Sequence, residues 1–161
     1  MEMRIGHGYD LHRLEASEQG GEMLKVGGIG VKCGLKAIAH SDGDAVMHAL
    51  ADALLSAIGE PDIGQLFPDT ATENKNRDSA EFLVEAIERV NLGGWAIGNV
   101  AITVICDQPK IAPHREQICE SLRRYIVAPI HIKGKTCEGT DKSGAMEVHV
   151  VALVQRGNTN E

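Results

Sequence analysis

Residues 40–58 read HSDGDAVMHALADALLSAI, and the rest of the fold is read outward from this run. Val46, Leu50, Ala53, Leu54, Ala57 and Ile58 recur at steps of three and four, the period of a helix with one apolar face, so a helix is expected from Asp44 to Ile58. The Ser41-Asp42-Gly43-Asp44 stretch supplies the short polar side chains and the glycine that suit a turn and a helix N-terminus. Along the helix Asp44, His48 and Asp52 fall at i, i+4 and i+8, a polar stripe beside the apolar face. Capping explains the residues before the helix but not His48, which is either an exposed member of a charge ladder or a ligand.

Upstream, Arg4 to Tyr9 reads as a short strand, with Asp10 and His12 just past its end. Met23 to Cys33 reads as a second β region, bent or folded into a hairpin at Gly27-Gly28 and Gly30. Downstream, Gly59 to Asn76 is a long loop holding Pro61-Asp62-Ile63-Gly64 and Phe67-Pro68-Asp69-Thr70, and loops of that length in a compact domain tend to be functional. A second helix is expected over Ser79 to Asn91, opened by Asp78 or Ser79 and closed by Gly93-Gly94. Then follow a strand from Asn99 to Cys106, a helix opened by Pro113 and ending near Ile126, and strands Ile130 to Cys137 and Met146 to Gln155. Strands and helices interleave and the chain closes on a β-loop-β pair. That order predicts an α/β (α+β) sandwich, with helices packed on one face of a mixed sheet. One domain over residues 1–155 is expected, followed by a polar, aperiodic tail at 156–161.

The chain has 161 residues, 43% of them hydrophobic, enough for one core and short for two domains. Its formal net charge is -7, with 23 acidic against 16 basic residues, so it lacks the broad basic surface that would neutralise a nucleic-acid backbone. A small anion remains possible, since a metal ion or backbone amides act locally. The four cysteines, Cys33, Cys106, Cys119 and Cys137, contain no C-x-x-C pair and read as reduced thiols. Met1-Glu2-Met3-Arg4 does not resemble a signal peptide, and no apolar run approaches membrane-spanning length, so a soluble cytoplasmic protein without a membrane partner is expected.

Asp10-Leu11-His12 and His48 offer one carboxylate and two imidazoles, the donor set of an open zinc site that keeps a position for substrate. Alone, D-x-H means little, because both residue types also cap helices and satisfy turns. The glycines raise a second possibility, a phosphate held by amides at a helix start. Standard nucleotide motifs fail, however. Gly134-Lys135-Thr136 ends like a P-loop, but Pro129 stands at the first glycine, and Gly28-x-Gly30 meets Cys33 at the third.

The segments RIGHGYDLHRL (4–14), AHSDGDAVMHALADALL (39–55), DIGQLFPDT (62–70), QPKIAPH (108–114) and KTCE (135–138) run in this order through most of the chain. Together they resemble the 2-C-methyl-D-erythritol 2,4-cyclodiphosphate synthase family of the non-mevalonate isoprenoid pathway. The resemblance implies a homotrimer with active sites between neighbouring subunits. It implies that Asp10, His12 and His48 hold Zn2+, and that Glu138 holds Mg2+ or Mn2+ on the substrate diphosphate. Asp62, Ile63 and Gly64, with Phe67, Pro68, Asp69 and Thr70, match segments that contact the methylerythritol phosphate. Cys106, Asp107, Gln108, Pro109, Lys110, Ile111 and Ala112 match a cytidine pocket built largely from backbone groups. His40 and Thr136 match positions assigned to transition-state stabilisation, and Leu11, Ser41, Lys135 and Cys137 fall beside them among the substrate-binding segments.

The activity so implied is conversion of 4-diphosphocytidyl-2-C-methyl-D-erythritol 2-phosphate to the 2,4-cyclodiphosphate and CMP. An ionised phosphate is already a nucleophile, so such a site needs positioning and charge neutralisation rather than a Ser-His-Asp constellation. Three departures stand out against the family pattern. Ala71 replaces a usual aspartate, the loop from Glu138 to Val148 is shorter than in many members and has no clear counterpart of a Phe and an Arg found there, which Gly144 and Ala145 cannot replace chemically, and His149 stands where some relatives carry a glutamate facing the trimer axis. Binding of a hydrophobic diphosphate along that axis is therefore not carried over. Two other classes remain open: a zinc hydrolase using Asp42 or Asp44 as general base, and a non-catalytic metal- or nucleotide-binding trimer.

Overall fold

The computed structural model describes residues 1–17, 22–68 and 77–157. Five strands form the main sheet: β1 (Glu2–Ala16), β4 (Leu35–Ala37), β5 (Ala96–Ile105), β6 (Ile130–Lys135) and β7 (Ala145–Arg156), in the order β4-β1-β7-β5-β6. Only β5 and β6 run parallel, so the sheet is mixed, as expected. A separate hairpin, β2 (Leu24–Val26) with β3 (Ile29–Val31), turns at Gly27-Gly28, where both residues have positive φ. The helices are α1 (Ala45–Ile58), α2 (Ile63–Leu66), α3 (Ser79–Leu92) and α4 (Arg115–Arg123), the last preceded by a 3-10 turn at Ala112–His114. No described helix is long and apolar enough to cross a membrane.

The core lies between the helices and one sheet face. Val100, Ile102 and Val104 of β5 and Met146, Val148, Val150, Ala152 and Val154 of β7 are buried at alternate positions, the period of a strand covered on one side. Leu50, Leu54 and Leu55 of α1 and Leu83 of α3 complete that core. No described helix covers the opposite sheet face, and Met3, Ile5, Tyr9, Leu11 and Val151 stand exposed there.

Several expected boundaries move. Asp10 and His12 lie inside β1, because pairing with β7 continues from Glu2↔Arg156 to Arg13↔Ala145 before β4 takes over at Leu14. The long loop carries α2, whose N-cap Asp62 accepts from the Gln65 amide at 2.8 Å. The helix opened by Pro113 is divided into the 3-10 turn and α4, and ends at Arg123 rather than Ile126. Arg156 belongs to β7 and not to a tail: Glu2 Oε2 accepts from its Nε at 2.8 Å, and its guanidinium stands 4.4 Å from the Trp95 ring centroid. Asp69, Thr70, Ala71 and positions 158–161 lie outside the described residues.

Candidate metal centre and substrate cleft

The site begins with two glycines. A Cβ on Gly6 would stand 1.9 Å from the Ala53 carbonyl oxygen, and one on Gly8 1.8 Å from that of Ala49, so α1 lies directly on the β1 backbone. Gly6, Gly8, Asp10 and His12 share one strand face, the face that meets α1. That contact brings His48 of α1 up to Asp10 and His12.

Asp10 Oδ2 lies 3.3 Å from His12 Nε2 and 3.3 Å from His48 Nδ1. This oxygen is buried and has no hydrogen-bond partner among the described residues, while Oδ1 accepts from the Leu11 amide at 2.9 Å. A tetrahedral ion with bonds of about 2.0–2.1 Å holds its donor atoms about 3.3–3.4 Å apart, so the two measured edges fit a small cation. The far nitrogens are engaged elsewhere: His12 Nδ1 is 3.1 Å from the Gly43 carbonyl oxygen, and His48 Nε2 is 2.9 Å from Ser79 Oγ and 3.2 Å from Ser41 Oγ. Holding the outer nitrogen fixes each ring and leaves the inner one as donor. Asp10, His12 and His48 are the group of metal-binding type among the described residues.

The neighbouring aspartates do other work. Asp44 is 1% exposed, and its carboxylate accepts from the amides of Gly27 (2.8 Å), Gly28 (2.6 Å), Val46 (3.1 Å) and Met47 (3.1 Å). Burial pushes its pKa above the ordinary carboxylate value despite those amides. Asp42 accepts the Ser79 hydroxyl and the Asp44 amide. Both Asp44 oxygens are committed to backbone amides, and Asp42 Oδ1 to two donors, so the two carboxylates serve to hold the turn and the helix start. Asp52 is also raised by burial, and accepts from the Ile63 amide at 2.8 Å, which ties α2 to α1.

The three metal-type residues open into a cleft of about 320 Å3 whose walls include Leu11, His40, Ser41, Ile63, Gly64 and Phe67. Asp62 and Pro68 are exposed and do not line it. Phe82, read from the sequence only as part of a helix, closes the inner wall: its ring lies edge-on to His48 at 5.2 Å and against Phe67 at 4.9 Å. Arg77 stands 4.8 Å over the Phe67 ring. Its contacts with Phe67 and Phe82 are tertiary, and no motif in the sequence announces them.

A second pocket, of about 140 Å3, is lined by Cys106, Lys110, Ile111, Ala112, Gly134, Lys135 and Thr136. Asp107, Gln108, Pro109, Cys137 and Glu138 adjoin these residues in sequence without lining it. The Asp107 carboxylate accepts from the Cys137 amide and from Ser143 Oγ, both at 3.0 Å, and these bonds hold its pKa below the ordinary value. The Cys106 thiol donates to the Pro109 carbonyl, and burial pushes it up to about 11, so it is neutral. Glu138 is the single non-glycine residue with positive φ (52°) among the described residues, and its carboxylate accepts the Thr136 hydroxyl. Such backbone strain persists where the surroundings enforce it, and it clusters at working sites.

The register relates the two pockets. Asp10 pairs with Val148, Val148 with Val104, and Val104 with Gly134. Three strand spacings of about 4.8 Å place Gly134 about 14 Å from Asp10 across the sheet. The two pockets therefore sit at one end of the sheet but share no wall.

The family model described as YgbB family matches residues 3–155. A 2-C-methyl-D-erythritol 2,4-cyclodiphosphate synthase from Rhodopirellula baltica is 44% identical over 160 residues, covering 95% of this chain and 93% of that protein. Its counterpart from Gemmatimonas aurantiaca is 45% identical over 148 residues, covering 90% and 87%. Among solved structures, a 2C-methyl-D-erythritol-2,4-cyclodiphosphate synthase in a CDP-bound form superposes with a TM-score of 0.86 at 41% identity, over 94% of this chain and 100% of that one. A Plasmodium falciparum IspF in complex with CDP gives 0.82 at 33% identity, over 97% of each chain. Matching over nearly its whole length in sequence and in fold, the chain belongs to the YgbB family of 2-C-methyl-D-erythritol 2,4-cyclodiphosphate synthases.

Proposed function

We propose that the protein converts 4-diphosphocytidyl-2-C-methyl-D-erythritol 2-phosphate to 2-C-methyl-D-erythritol 2,4-cyclodiphosphate and CMP, within one domain that runs through the end of β7 at Arg156. The observation that carries this reading is the buried Asp10 Oδ2, without a hydrogen-bond partner among the described residues and 3.3 Å from an imidazole nitrogen on either side, at the wall of a cleft. The named relatives supply the substrate class and the CDP-bound relatives a cytidine nucleotide as ligand, to which we assign the pocket lined by Cys106, Lys110, Ile111, Ala112, Lys135 and Thr136. Zn2+ on Asp10, His12 and His48, with Mg2+ or Mn2+ at Glu138, would supply positive charge to phosphate oxygens.

The chain's own part is binding and orientation. An oxygen of the 2-phosphate attacks the β-phosphorus, the new P–O bond closes the ring, and the bond from the β-phosphorus to the bridging oxygen breaks. CMP leaves with that oxygen, and no proton need be removed from the nucleophile. His40 and Ser41 lie on the cleft wall where an incoming phosphate can be met, and Ile63, Gly64 and Phe67 form the apolar side for the methylerythritol carbons. Leu11 borders that side, and Asp62, Pro68, Asp69 and Thr70, which adjoin these residues in sequence, are assigned to the same part of the substrate by the family resemblance. On the cytidine side, the Thr136 hydroxyl donates to the Glu138 carboxylate, so each holds the other in place for the diphosphate. Asp107 holds the Cys137 amide and thereby the loop that carries them.

We place the site between subunits of a homotrimer. The two half-pockets of one chain are about 14 Å apart across the sheet, and the exposed Met3, Ile5, Tyr9, Leu11 and Val151 make an apolar sheet face suited to self-association. A cytoplasmic location is in keeping with four free thiols. Incubation with the cytidine diphosphate substrate and Mg2+ tests the whole reading. Cyclic diphosphate with CMP supports it, a linear phosphate product indicates a hydrolase, and absence of turnover indicates a binding protein.

A further inference from the structure

The structure assigns Ser79 as a positioning residue for His48, linking the imidazole to the Asp42 carboxylate; the assignment rests on the metal reading of Asp10, His12 and His48. Ser79 is the first residue of α3 and is fully buried. Capping does not require it, because the Asp78 side chain already accepts from the Ala80 amide at 3.0 Å. Its hydroxyl instead faces two groups, Asp42 Oδ1 and His48 Nε2, the latter at 2.9 Å.

The order of donors follows from chemistry. A carboxylate only accepts, so the Ser79 proton goes to Asp42, and the remaining lone pairs of Oγ accept from a proton on His48 Nε2. With the Nε2 proton held by Ser79, Nδ1 is the nitrogen that faces the position beside Asp10 Oδ2 and can donate its lone pair to a cation there. Ser41 Oγ, 3.2 Å from the same nitrogen, keeps a second lone pair beside the one that accepts the Gly43 amide, and can share the Nε2 proton with Ser79. Asp42 is itself held, since its backbone amide donates to the Arg77 carbonyl at 3.3 Å. The arrangement is a carboxylate–imidazole–metal relay with a serine hydroxyl between the first two members. His12 has no such relay and uses the Gly43 carbonyl. One metal ligand is thus set by α3, an element that supplies no ligand to the centre.

Co2+ titration of the full-length protein against a competing chelator tests this, with S79A and S79T beside the parent. The expected result is a loss of about 10- to 100-fold in Co2+ affinity for S79A, the range seen when an outer-shell partner is removed. S79T, which keeps the hydroxyl, is expected to restore most of the affinity, and the metal-free S79A protein to unfold close to the parent's midpoint. S79A binding Co2+ as tightly as the parent overturns the assignment of Ser79 alone. A parent that binds no Co2+ overturns the metal reading itself. Weakened binding with an equally lowered metal-free midpoint, not rescued by S79T, makes Ser79 a packing residue and also overturns the assignment.

Discussion

Gly8 and Ala49 meet backbone to backbone: a Cβ on Gly8 would lie 1.8 Å from the Ala49 carbonyl oxygen. Asp10 follows Gly8 by two residues on the same strand face, and His48 precedes Ala49 on the helix, so this contact sets the metal geometry. Any side chain at Gly8 must push α1 off the sheet. G8A is expected to destabilise the protein by at least about 2 kcal/mol, within the range for overpacking against an immovable neighbour. It should also abolish tight metal binding in whatever protein still folds. Urea unfolding and elemental analysis together check this, and a G8A protein of parental stability would show that α1 is not seated as described.

H48A should lose bound zinc and turnover while keeping the fold. The ring is only partly buried, the apolar face of α1 is untouched, and alanine favours a helix. Elemental analysis reads the metal and circular dichroism the fold. Full zinc occupancy in H48A would remove His48 from the ligand set.

Glu138 allows strain and function to be separated. Its φ of 52° is costly for a residue with a Cβ, so E138G should stabilise the metal-free protein by up to about 1 kcal/mol. E138Q keeps the side-chain shape without the charge. Both variants should retain zinc and lose most of the response to added Mg2+, with denaturation and a Mg2+ titration of turnover as the measurements. A parental Mg2+ response in E138Q would take the second cation away from this residue.

The Glu147 carboxylate is 4% exposed and engaged by Lys142 and by His149 Nε2, and the Lys142 contact first, then His149, holds its pKa below the ordinary value. A depressed carboxylate contributes stability that is present above its unfolded-state pKa and is lost as pH falls through the folded one. E147Q should therefore be less stable than the parent near neutrality, and the two should converge in acid below the ordinary glutamate range. Denaturation midpoints across that interval decide the matter. A constant difference between the two proteins would assign the effect of E147Q to packing.

How much of this was legible in the sequence depends on where the deciding forces lie. Helix α1 was readable because its apolar residues repeat over four turns and Asp44 caps it locally. Strand β1 was cut short because its pattern is inverted: Gly6, Gly8, Asp10 and His12 face the helix, and Ile5, Tyr9 and Leu11 face outward. Local hydrophobicity has no way to mark that face as the inner one. The stripe Asp44-His48-Asp52 was seen as one feature, yet its members separate into a cap, a ligand and a tie to α2. Ser79 looked like a possible cap, and its contact with His48, 31 positions earlier, is a tertiary fact.

The pairing of half-pockets between subunits predicts recovery of activity by mixing. Take an Asp10→Ala protein and a Glu138→Gln protein, each inactive alone, and let their subunits reassort into trimers. If a site uses Asp10 of one subunit and Glu138 of its neighbour, it is intact only when a Glu138 variant supplies the first and an Asp10 variant the second. In a closed ring with equal, random assortment, about one site in four meets that condition, so the mixture should regain up to about a quarter of parental turnover. A site contained within one chain regains nothing, since every chain carries a lesion. Native mass spectrometry establishes that mixed trimers formed, and a turnover assay on the same sample separates the two arrangements. Mixed trimers without activity would place Asp10 and Glu138 in the same chain's site, despite the separation across the sheet.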